Sequence, residues 1–329
     1  MTTSLNSLKQ ILINDRLIPS AYTFLSRPFA NKLRHLPSAP APIPKAKEKV
    51  SVVIPNYNYK SFLDERINSI LAQTYPIYEL IILDDASTDG SGEYIEKELL
   101  PEIRTKNPDL KVSFFKNKNN SGKSLLQWQK AFKKASGDYL WIAEADDLSD
   151  SNFLTQTMQK FKDDESVILS FSNSVAINSS GKILTYDFAN RSSDKLKSRR
   201  FRNDFIISGE EVIKTNFAVN CIIPNVSACV FRLNNKIPYK TLLVSSTSFT
   251  QCGDWNFYLE LLAYGSLAFS CASLNYFRIH SRSVTANSKK SKIFEKEVRS
   301  IHEKLSSKYA LSPEILAAQT RELSRIIAR

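Results

Sequence analysis

The sequence predicts an α/β protein with a doubly wound, mostly parallel sheet flanked by helices. Four apolar runs rich in Val, Ile, Leu and aromatic residues alternate with amphipathic helical patterns from residue 49 onward. Such continuous apolar runs are typical of strands that are buried on both faces. Acidic residues directly follow two of the runs, at the carboxyl ends where sheets of this class bind ligands. We therefore expect a Rossmann-like sheet with a ligand site along one edge.

Each predicted element has a local pattern that supports it. The first strand is "VSVVIP", and the helix after it is "SFLDERINSILAQT", where Ser61 and Asp64 have the spacing of a capping box. The second strand is "YELIILDD", and it is followed by the helix "GEYIEKELLPEI". The third strand is "KVSFFKN", followed by the helix "KSLLQWQKAFKKA", and the fourth strand is "GDYLWIAEADD". This β-α-β-α-β-α-β order is the basis of the predicted fold class.

The segments on either side of this region differ from it in composition. Residues 1–36 form a basic N-terminal arm with leucine and isoleucine at helical spacing, which predicts packing on the body or, alternatively, contact with a membrane surface. Residues 37–48 contain "PSAPAPIP", a Pro-rich linker that no helix or strand accommodates. Residues 286–329 are predicted to form two helices that are interrupted near Ser312 and Pro313.

The bulk composition excludes several classes of protein. The 329 residues are 42% hydrophobic, as in ordinary globular proteins, and no apolar run reaches the length of about 18 residues that a membrane-spanning helix needs. The first residues lack the pattern of a secretory signal, so we expect a cytoplasmic protein. The four Cys form no CxxC pair and the chain has three His, which argues against a structural zinc site and for reduced thiols.

The net charge of +12 is the one unusual bulk property. It favours partners that carry negative charge, namely nucleic acid, anionic lipid headgroups or phosphorylated small molecules. No RNP, zinc-finger or helix-turn-helix pattern occurs, so we expect no specific nucleic-acid partner. The basic arm and the basic run at residues 191–202 predict a peripheral contact with an anionic membrane, on the inner face of the cell membrane, or with a diphosphate group. A solvated loop is the alternative interpretation of that run.

Two further motifs imitate known binding loops. "LDDASTDGSGEYIEKE" has nearly the spacing of a calcium loop when it is counted from Asp85, but a strand precedes it and Gly92 stands where an apolar residue is usual. "NNSGKS" ends like a phosphate-binding P-loop, but Asn117 stands where that motif needs Gly. Both interpretations are rejected, although Lys123 at a strand-to-helix junction is still able to meet a phosphate or a base.

The end of the fourth predicted strand concentrates acidic side chains. Glu144, Asp146 and Asp147 lie at the end of the apolar run "YLWIA", and like charges so close together are costly unless a cation neutralises them. Capping of the following helix is an alternative role, but one Asp would be enough for that. Three acids favour a divalent cation whose oxygen ligands include a bound phosphate.

Taken together, these motifs resemble those of one enzyme family. "VSVVIPNYN", "LDDASTDGS", "NNSGKS" and "EADD" are similar in order and spacing to the motifs of family-2 glycosyltransferases with the GT-A fold, and "CGDWNFYLELLAYGSLAFSCASLNYFRIHSRSVT" resembles the acceptor half of that family. The resemblance covers residues 49–285. It implies a GT-A domain there, with a nucleotide-sugar-binding half at residues 49–150 and an acceptor-binding half at residues 151–285, followed by the helical extension at 286–329.

The resemblance also implies a role for each matching residue around the nucleotide. Pro55, Tyr57 and Asn58 match positions that frame the base. Asp85 matches the acid that accepts a hydrogen bond from the ring N–H of the base, which suits a sugar donor of the UDP, dTDP or GDP type. Lys123 matches a basic position beside that base.

Other matching positions surround the diphosphate and the metal. Asp146 matches the acid near the ribose, and Asp147 matches the ligand of Mn²⁺ or Mg²⁺. Glu144 replaces the first Asp of the commoner pattern and reaches one methylene further. Arg278 and His280, in "NYFRIH", match a position that approaches the diphosphate or the metal. The resemblance therefore implies a cation on Asp147, with His280 and Glu144 as additional candidate ligands and Arg278 on the donor.

Asp254, in "CGDWNF", matches the catalytic base of the family. A sugar hydroxyl must lose its proton as it attacks the anomeric carbon, and a single carboxylate on the acceptor side achieves this. A helix N-cap is the alternative role of this residue, and the two roles are compatible.

The resemblance implies a metal-dependent, inverting transfer of a sugar to a glycan or lipid-linked acceptor, in the biosynthesis of a cell-surface polysaccharide. A catalytically silent module that binds a nucleotide or a glycan is the alternative. Glu144 in place of the usual first Asp is the sequence feature that supports this alternative.

Overall fold

The structure is a computed structural model, and it describes residues 48–186, 200–281 and 292–328. The predicted arm at residues 1–36, nearly all of the linker and most of the basic run at 191–202 lie outside these residues. The membrane contact expected from them therefore stays a prediction. None of the described helices is both long and apolar enough to cross a lipid bilayer.

Strands and helices alternate through the first part of the described chain as the sequence predicts. In chain order the strands are β1 (Val50–Asn56), β2 (Glu79–Asp84), β3 (Lys111–Lys116), β4 (Tyr139–Ile142), β5 (Leu148–Ser149), β6 (Val167–Ile177), β7 (Ile183–Thr185), β8 (Phe205–Ile207), β9 (Cys229–Arg232) and β10 (Ser266–Arg278). The α-helices are α1 (Leu63–Leu71), α2 (Ser91–Tyr94), α3 (Leu100–Lys106), α4 (Ser124–Lys134), α5 (Phe153–Asp163), α6 (Gly209–Val212), α7 (Tyr239–Ser246), α8 (Gly253–Leu261), α9 (Lys292–Lys308) and α10 (Pro313–Ile327). Short 3-10 turns lie at Lys60–Phe62, Arg200–Arg202, Val226–Ala228 and Leu262–Tyr264, and π-helical turns lie at Ile95–Leu99 and Ile213–Phe217.

The ten strands of the described residues form one sheet, in the order β3-β2-β1-β4-β9-β6-β10-β5, with β7 attached to β6 and β8 to β10. Strands β3, β2, β1 and β4 are parallel to one another. β9 runs antiparallel to its neighbours β4 and β6, β10 is parallel to β6, and β5 is antiparallel to β10. All strands of the main path except β9 and β5 therefore point the same way. This confirms the predicted mostly parallel sheet and brings many strand ends to one edge.

The predicted local elements agree with the structure, with one exception at the start of α1. The capping box expected from Ser61 and Asp64 is wrong, because no side chain caps α1 and a 3-10 turn precedes it. Asp64 accepts a hydrogen bond from the Tyr94 hydroxyl instead, at 2.5 Å. The second predicted helix widens into a π-helical turn just before Pro101. Proline causes this kind of distortion, since it lacks the N–H of a regular helical bond and its ring crowds the preceding turn.

The apolar core has two layers, one on each face of the sheet. Val52 and Val53 belong to opposite layers because successive side chains of a strand point to opposite faces. The layer around Val53 includes Trp128 of α4 and Ile301 of α9, while the layer around Val52 includes Ile67 of α1. The two predicted C-terminal helices are thus present, and they complete one layer of the core. The predicted halves of the domain share this one sheet, and the division between them stays a prediction.

Candidate functional site

Three acidic side chains meet in the turn that follows β4. Glu144, Asp146 and Asp147 each place a carboxylate oxygen within 4.8 Å of the others. The turn is tight because the Asp147 N–H donates to the Glu144 carbonyl at 3.2 Å. The chain then enters β5, which pairs with β10. The short strand β5, and not a helix, therefore follows the acids directly. The next helix, α5, has Asn152 as its N-cap, so the three acids do not cap a helix. Three clustered carboxylates offer the hard oxygen ligands that Mg²⁺ and Mn²⁺ prefer.

The carboxylate of Asp147 is buried and held from two sides. Its Oδ1 accepts from the backbone N–H of Arg278 at 2.9 Å, and its Oδ2 accepts from Asn225 Nδ2 at 2.5 Å. Asn225 Oδ1 in turn accepts from Asn275, at 2.9 Å, which orients the amide group toward the acid. Burial, followed by the charge of Asp146, raises the pKa of Asp147 to about 7.

Glu144 is the second acid of the cluster with a raised pKa. Its pKa lies well above the ordinary value, first because the side chain is desolvated and then because Asp146, Asp147 and Asp254 carry like charge. A divalent cation between these carboxylates would relieve the repulsion that raises their pKa values. The donor set therefore fits the cation that the sequence implies.

His280 lies beside the acids, with its Nε2 2.9 Å from Asp146 Oδ2. Its ring stands edge-on to Tyr59, at 5.5 Å between centroids, and packs against Phe62 at 5.4 Å. Among the residues that the structure describes, the close group of potential metal ligands consists of the three acids alone. The role of His280 as a further ligand stays a prediction, and the geometry favours a hydrogen bond that orients Asp146.

Arg278 lies at the predicted place but has a different set of contacts from those expected. Only 1% of its side chain is exposed. Its Nε donates to the Asp146 carbonyl at 2.6 Å and its Nη2 to Glu65 at 2.7 Å, and Nη1 donates to two carbonyls of the turn after β6, those of Asn178 and Ser179. The guanidinium also lies over the Phe62 ring, at 4.7 Å. These contacts favour a role in fixing the acidic turn over direct contact with a diphosphate.

The loops after β1 and β2 are fastened to each other at the same edge. Asn58 has a left-handed backbone (φ 59°), and its side-chain oxygen accepts from the Thr88 N–H at 2.7 Å. Its own N–H donates to Ser87 Oγ at 2.9 Å. Pro55 is the last residue but one of strand β1, and Tyr57, which follows the strand, is 44% exposed. The residues predicted to frame the base therefore lie in a loop that is held by hydrogen bonds to the loop after β2, and Tyr57 is the exposed aromatic residue there.

Asp85 follows β2, as predicted, but its carboxylate already has several donors from the chain. Ser121 donates through its N–H at 3.0 Å and its hydroxyl at 2.6 Å, Asn120 Nδ2 donates at 3.2 Å, and Asn117 Nδ2 also donates. A carboxylate offers about four acceptor positions, so these donors nearly saturate it. In this structure Asp85 fastens the loop at residues 117–121, and the predicted contact with a base N–H would have to share or replace one of these bonds.

Lys123 stands at the start of α4, directly after that loop. Its Nζ donates to the Thr247 carbonyl at 2.5 Å, at the end of α7. Lys123 thus links the start of α4 to the segment that precedes α8. The predicted contact with the base stays a prediction.

Asp254 lies in the first turn of α8, and the N-cap of that helix is Cys252, so the alternative N-cap role does not hold. Asp254 Oδ1 accepts from the Trp255 N–H at 2.7 Å. Burial raises the pKa of Asp254 to about 6, and the charge of Glu297 adds to the effect. Since Asp254 also raises the pKa of Glu144, the two carboxylates are within electrostatic range. The charge of Asp254 on α8 is therefore one of the like charges that act on the cluster after β4.

Arg66 is a member of this site that the sequence analysis missed. It is fully buried in α1, its Nη1 donates to Ser149 Oγ at 2.7 Å, and its guanidinium lies over the Trp141 ring at 5.0 Å. Its Nε and Nη2 have no hydrogen-bond partner. Burial lowers the pKa of Arg66 to about 10, and the charges of Asp147, Asp146 and Glu144 oppose that shift. The signal in the sequence was an arginine on the apolar face of α1, one residue before Ile67 and three after Leu63.

We expect Arg66→Met to lower the free energy of unfolding of the metal-free protein by about 2–4 kcal/mol, because the acids lose a buried countercharge. Added Mn²⁺ should restore part of that loss, so the rise in Tm on adding Mn²⁺ should be larger in this variant than in the unchanged protein. Melting curves in EDTA and in Mn²⁺ measure both quantities. Arg66→Lys keeps the charge and is the control. An equal loss in both conditions would show that Arg66 acts through packing alone.

Comparison with known proteins gives one family and a common fold. A family model described as "Glycosyl transferase family 2" matches residues 51–216. Glycosyltransferase GlyG of Streptococcus pneumoniae is 31% identical over 122 residues, which is 37% of this chain and 38% of that protein. The putative teichuronic acid biosynthesis glycosyltransferase TuaG of Bacillus subtilis is 32% identical over 101 residues, 31% of this chain and 37% of that protein. The match thus spans little more than a third of the length of these two relatives.

Two solved structures share the fold at low sequence identity. S. aureus TarS 1-349 in complex with UDP-GlcNAc has a TM-score of 0.56 at 17% identity, over 85% of this chain and 71% of that one. The mannosyltransferase PcManGT from Pyrobaculum calidifontis, in complex with GDP-Man and Mn²⁺, has a TM-score of 0.54 at 16% identity, over 89% and 76% of the two chains. The likeness confirms the expected GT-A fold.

Proposed function

The chain belongs to glycosyl transferase family 2, and from that premise we propose that it moves a sugar from a nucleoside-diphosphate donor to a hydroxyl of a glycan or lipid-linked acceptor, with inversion. One observation carries the proposal. Three crowded carboxylates lie at the edge of the sheet where β4 ends, within electrostatic range of Asp254 in the first turn of α8. We propose that the clustered carboxylates hold a cation for the leaving group and that Asp254 is the base for the incoming hydroxyl.

Asp254 is the proposed catalytic base. The acceptor oxygen forms a bond to the anomeric carbon while the bond from that carbon to the diphosphate oxygen breaks, and the electron pair leaves with the diphosphate. The hydroxyl proton passes to the Asp254 carboxylate. A raised pKa suits this task, because a carboxylate with a pKa of about 6 is a stronger base than an ordinary Asp and is still ionised at neutral pH.

Asp147, with Asp146 and Glu144 beside it, is the proposed site of Mn²⁺ or Mg²⁺. When bound, the cation supplies positive charge that stabilises the departing diphosphate. The chain itself contributes the fixed geometry of the ligands, through the hydrogen bonds that Arg278 and Asn225 donate to Asp147. His280 and Arg278 are proposed to position the acids, and Glu144 to act as an outer ligand.

Support for a nucleotide-sugar donor comes from the solved neighbours, which hold UDP-GlcNAc and GDP-Man. We propose a donor of the UDP, dTDP or GDP type, framed by Pro55, Tyr57 and Asn58, with Asp85 and Lys123 near the base. The name of one curated relative, the putative teichuronic acid biosynthesis glycosyltransferase TuaG, supports a role in cell-surface polysaccharide synthesis. A cytoplasmic protein with peripheral contact to the inner face of the membrane fits such a role.

The direct test is turnover with a panel of nucleotide sugars. Purified protein, Mn²⁺ or Mg²⁺ and a panel of glycan and lipid-linked acceptors should release nucleoside diphosphate with at least one donor, and the release should depend on the acceptor. Binding to the donor can be followed separately by the rise in Tm. Donor binding without release for any acceptor would count against the transferase and for a silent binding module, which Glu144 in place of the usual Asp still supports.

We expect the transfer rate at saturating Mn²⁺ to fall as the pH drops below about 6, because protonated Asp254 is unable to take the proton of the acceptor. The cation holds Asp147 ionised under these conditions, so the acidic limb of the profile belongs to Asp254. The measurement is kcat at saturating donor between pH 5 and pH 8, with affinity for the nucleotide recorded at each pH. A rate that stays constant down to pH 5 would contradict the assignment of the base.

A further inference from the structure

The C-terminal helix α9 contacts the segment that leads into α8. Glu297 of α9 accepts hydrogen bonds from three consecutive backbone N–H groups: its Oε1 accepts from Thr250 at 2.6 Å, and its Oε2 accepts from Gln251 and Cys252, each at 2.9 Å. Only Gly253 separates the last residue of this segment, Cys252, from Asp254. A side chain some 45 positions further along the chain thus fixes the backbone directly before the proposed base.

Three consecutive N–H groups that point at one carboxylate form a concave anion site, and hydrogen bonds to an ionised acceptor are roughly twice as strong as neutral ones. Cys252, the N-cap of α8, has no side-chain bond that caps the helix. The start of α8 is therefore held from outside the helix, by Glu297.

Other contacts hold the remainder of the segment and of α8. Lys123 Nζ donates to the Thr247 carbonyl at the beginning of the segment. Lys304 Nζ, two turns after Glu297 on α9, donates to Asn256 Oδ1 at 3.0 Å and also contacts Glu260. His302 stands edge-on to Trp255, with 6.0 Å between ring centroids. These contacts leave Asp254 in a turn that is fixed both before and after it.

We propose that Glu297 is a positioning residue for Asp254, and that α9 therefore contributes to the acceptor side of the active site. The inference rests on the proposed function, since it takes Asp254 as the base. Its physical basis is the fixed placement of the first turn of α8, because a misplacement of about 1 Å can cost a factor of about 100 in rate. The charge of Glu297 also raises the pKa of Asp254, after the larger effect of burial.

The test compares Glu297→Ala and Glu297→Gln with Glu295→Ala. Glu295 lies on the same helix and pairs with Arg299, at 2.9 Å, so it is a matched acidic control. The first readout needs no substrate: amide hydrogen exchange of residues 250–252 should be at least about tenfold faster in Glu297→Ala than in the unchanged protein or the control. Glu297→Gln keeps the size of the side chain and serves if the Ala variant does not fold.

The second readout is release of nucleoside diphosphate with UDP-GlcNAc, GDP-mannose and a dTDP-sugar as donor probes, across the acceptor panel. We expect kcat to fall by about 10–100-fold in both Glu297 variants, with the affinity for UDP and Mn²⁺ unchanged. Unchanged exchange, or faster exchange with an unchanged kcat, would overturn the positioning role. Absence of transfer by the unchanged protein would instead overturn the proposed function, and the role of Glu297 in it, even where the exchange rates show the contact.

Discussion

Asp254→Asn is expected to reduce sugar transfer by about a hundredfold or more, because general-base catalysis contributes roughly 10²–10⁴ in rate and Asn is unable to accept the proton. The affinity for the nucleotide should change little, since Asp254 lies on α8 and the nucleotide loops follow β1 and β2. The variant should therefore separate binding from turnover. Retention of full turnover would refute the assignment of the base.

The same substitution should stabilise the protein at alkaline pH. In the folded state burial raises the pKa of Asp254 from its ordinary 3.8 to about 6, so the folded protein binds the proton more tightly than the unfolded chain does. The stability that this group contributes is fully present below about pH 4 and is lost as the pH rises through about 6. At pH 8 the buried charge then costs about 1–2 kcal/mol, allowing for partial screening by solvent, and Asn removes that cost.

Urea unfolding at pH 8 and at pH 4.5 measures the effect. The gain in the free energy of unfolding should be present in full at pH 8 and fall to roughly a third of that at pH 4.5, where Asp254 is protonated in the folded state but still mostly ionised in the unfolded chain. Asp150→Asn is a suitable control, because that acid accepts a local hydrogen bond from the Asn152 N–H and lies outside the acidic cluster. An equal gain at both pH values would mean that the amide stabilises by other contacts.

Asp147→Asn is expected to abolish the rise in Tm on adding Mn²⁺ and to lower the rate of transfer by about 10²–10³-fold. A loss of this size is typical when one group that stabilises the charge of the transition state is removed. Asp147 is the buried member of the cluster, and both of its oxygens accept hydrogen bonds. Asn keeps one acceptor for the Arg278 N–H but turns an amide N–H₂ toward that of Asn225. The variant therefore loses both a ligand charge and the bond that orients it.

Melting curves with and without Mn²⁺, combined with turnover, test this second expectation. The unchanged protein in EDTA gives the metal-free reference, and Asp150→Asn gives the acid control. A Tm that still rises with Mn²⁺ in Asp147→Asn, by as much as in the unchanged protein, would place the cation on other residues. Normal transfer by the unchanged protein in EDTA would remove the metal from the mechanism.

The sequence predicted strands β1 to β4 and the place of the acids after them well because these signals are local. The apolar runs that became β1 to β4 are short and continuous, and the acids at Asp85 and Glu144 to Asp147 directly follow strand ends. A strand end and the residues after it remain neighbours in the fold whatever the remainder of the chain does. The location of these acids at one edge therefore followed from strand direction alone.

The contacts of the site residues followed less directly, because they depend on distant segments. Arg278 matched a donor position, yet its guanidinium is occupied by Glu65 and by carbonyls of other turns. The carboxylate of Asp85 is shared among donors more than 30 residues away. Arg66 and Glu297 belong to no motif, and only the tertiary packing of α1 and α9 reveals their importance. Pairings of this kind have no period or spacing that a single sequence can display.

Strand β9 runs antiparallel to its neighbours β4 and β6, and this direction determines which residues surround the acidic cluster. Its reversed direction delivers the start of the strand, with Asn225 and Ser227 just ahead of it, to the edge where β4 ends, so Asn225 reaches Asp147 and Ser227 receives the Glu144 N–H. The loop before β9, which is distant in sequence from β1 and β2, thus contributes hydrogen bonds to Glu144 and Asp147. Substitutions in that loop can therefore change the surroundings of the proposed cation site without changing the loops after β1 and β2, which are proposed to frame the base.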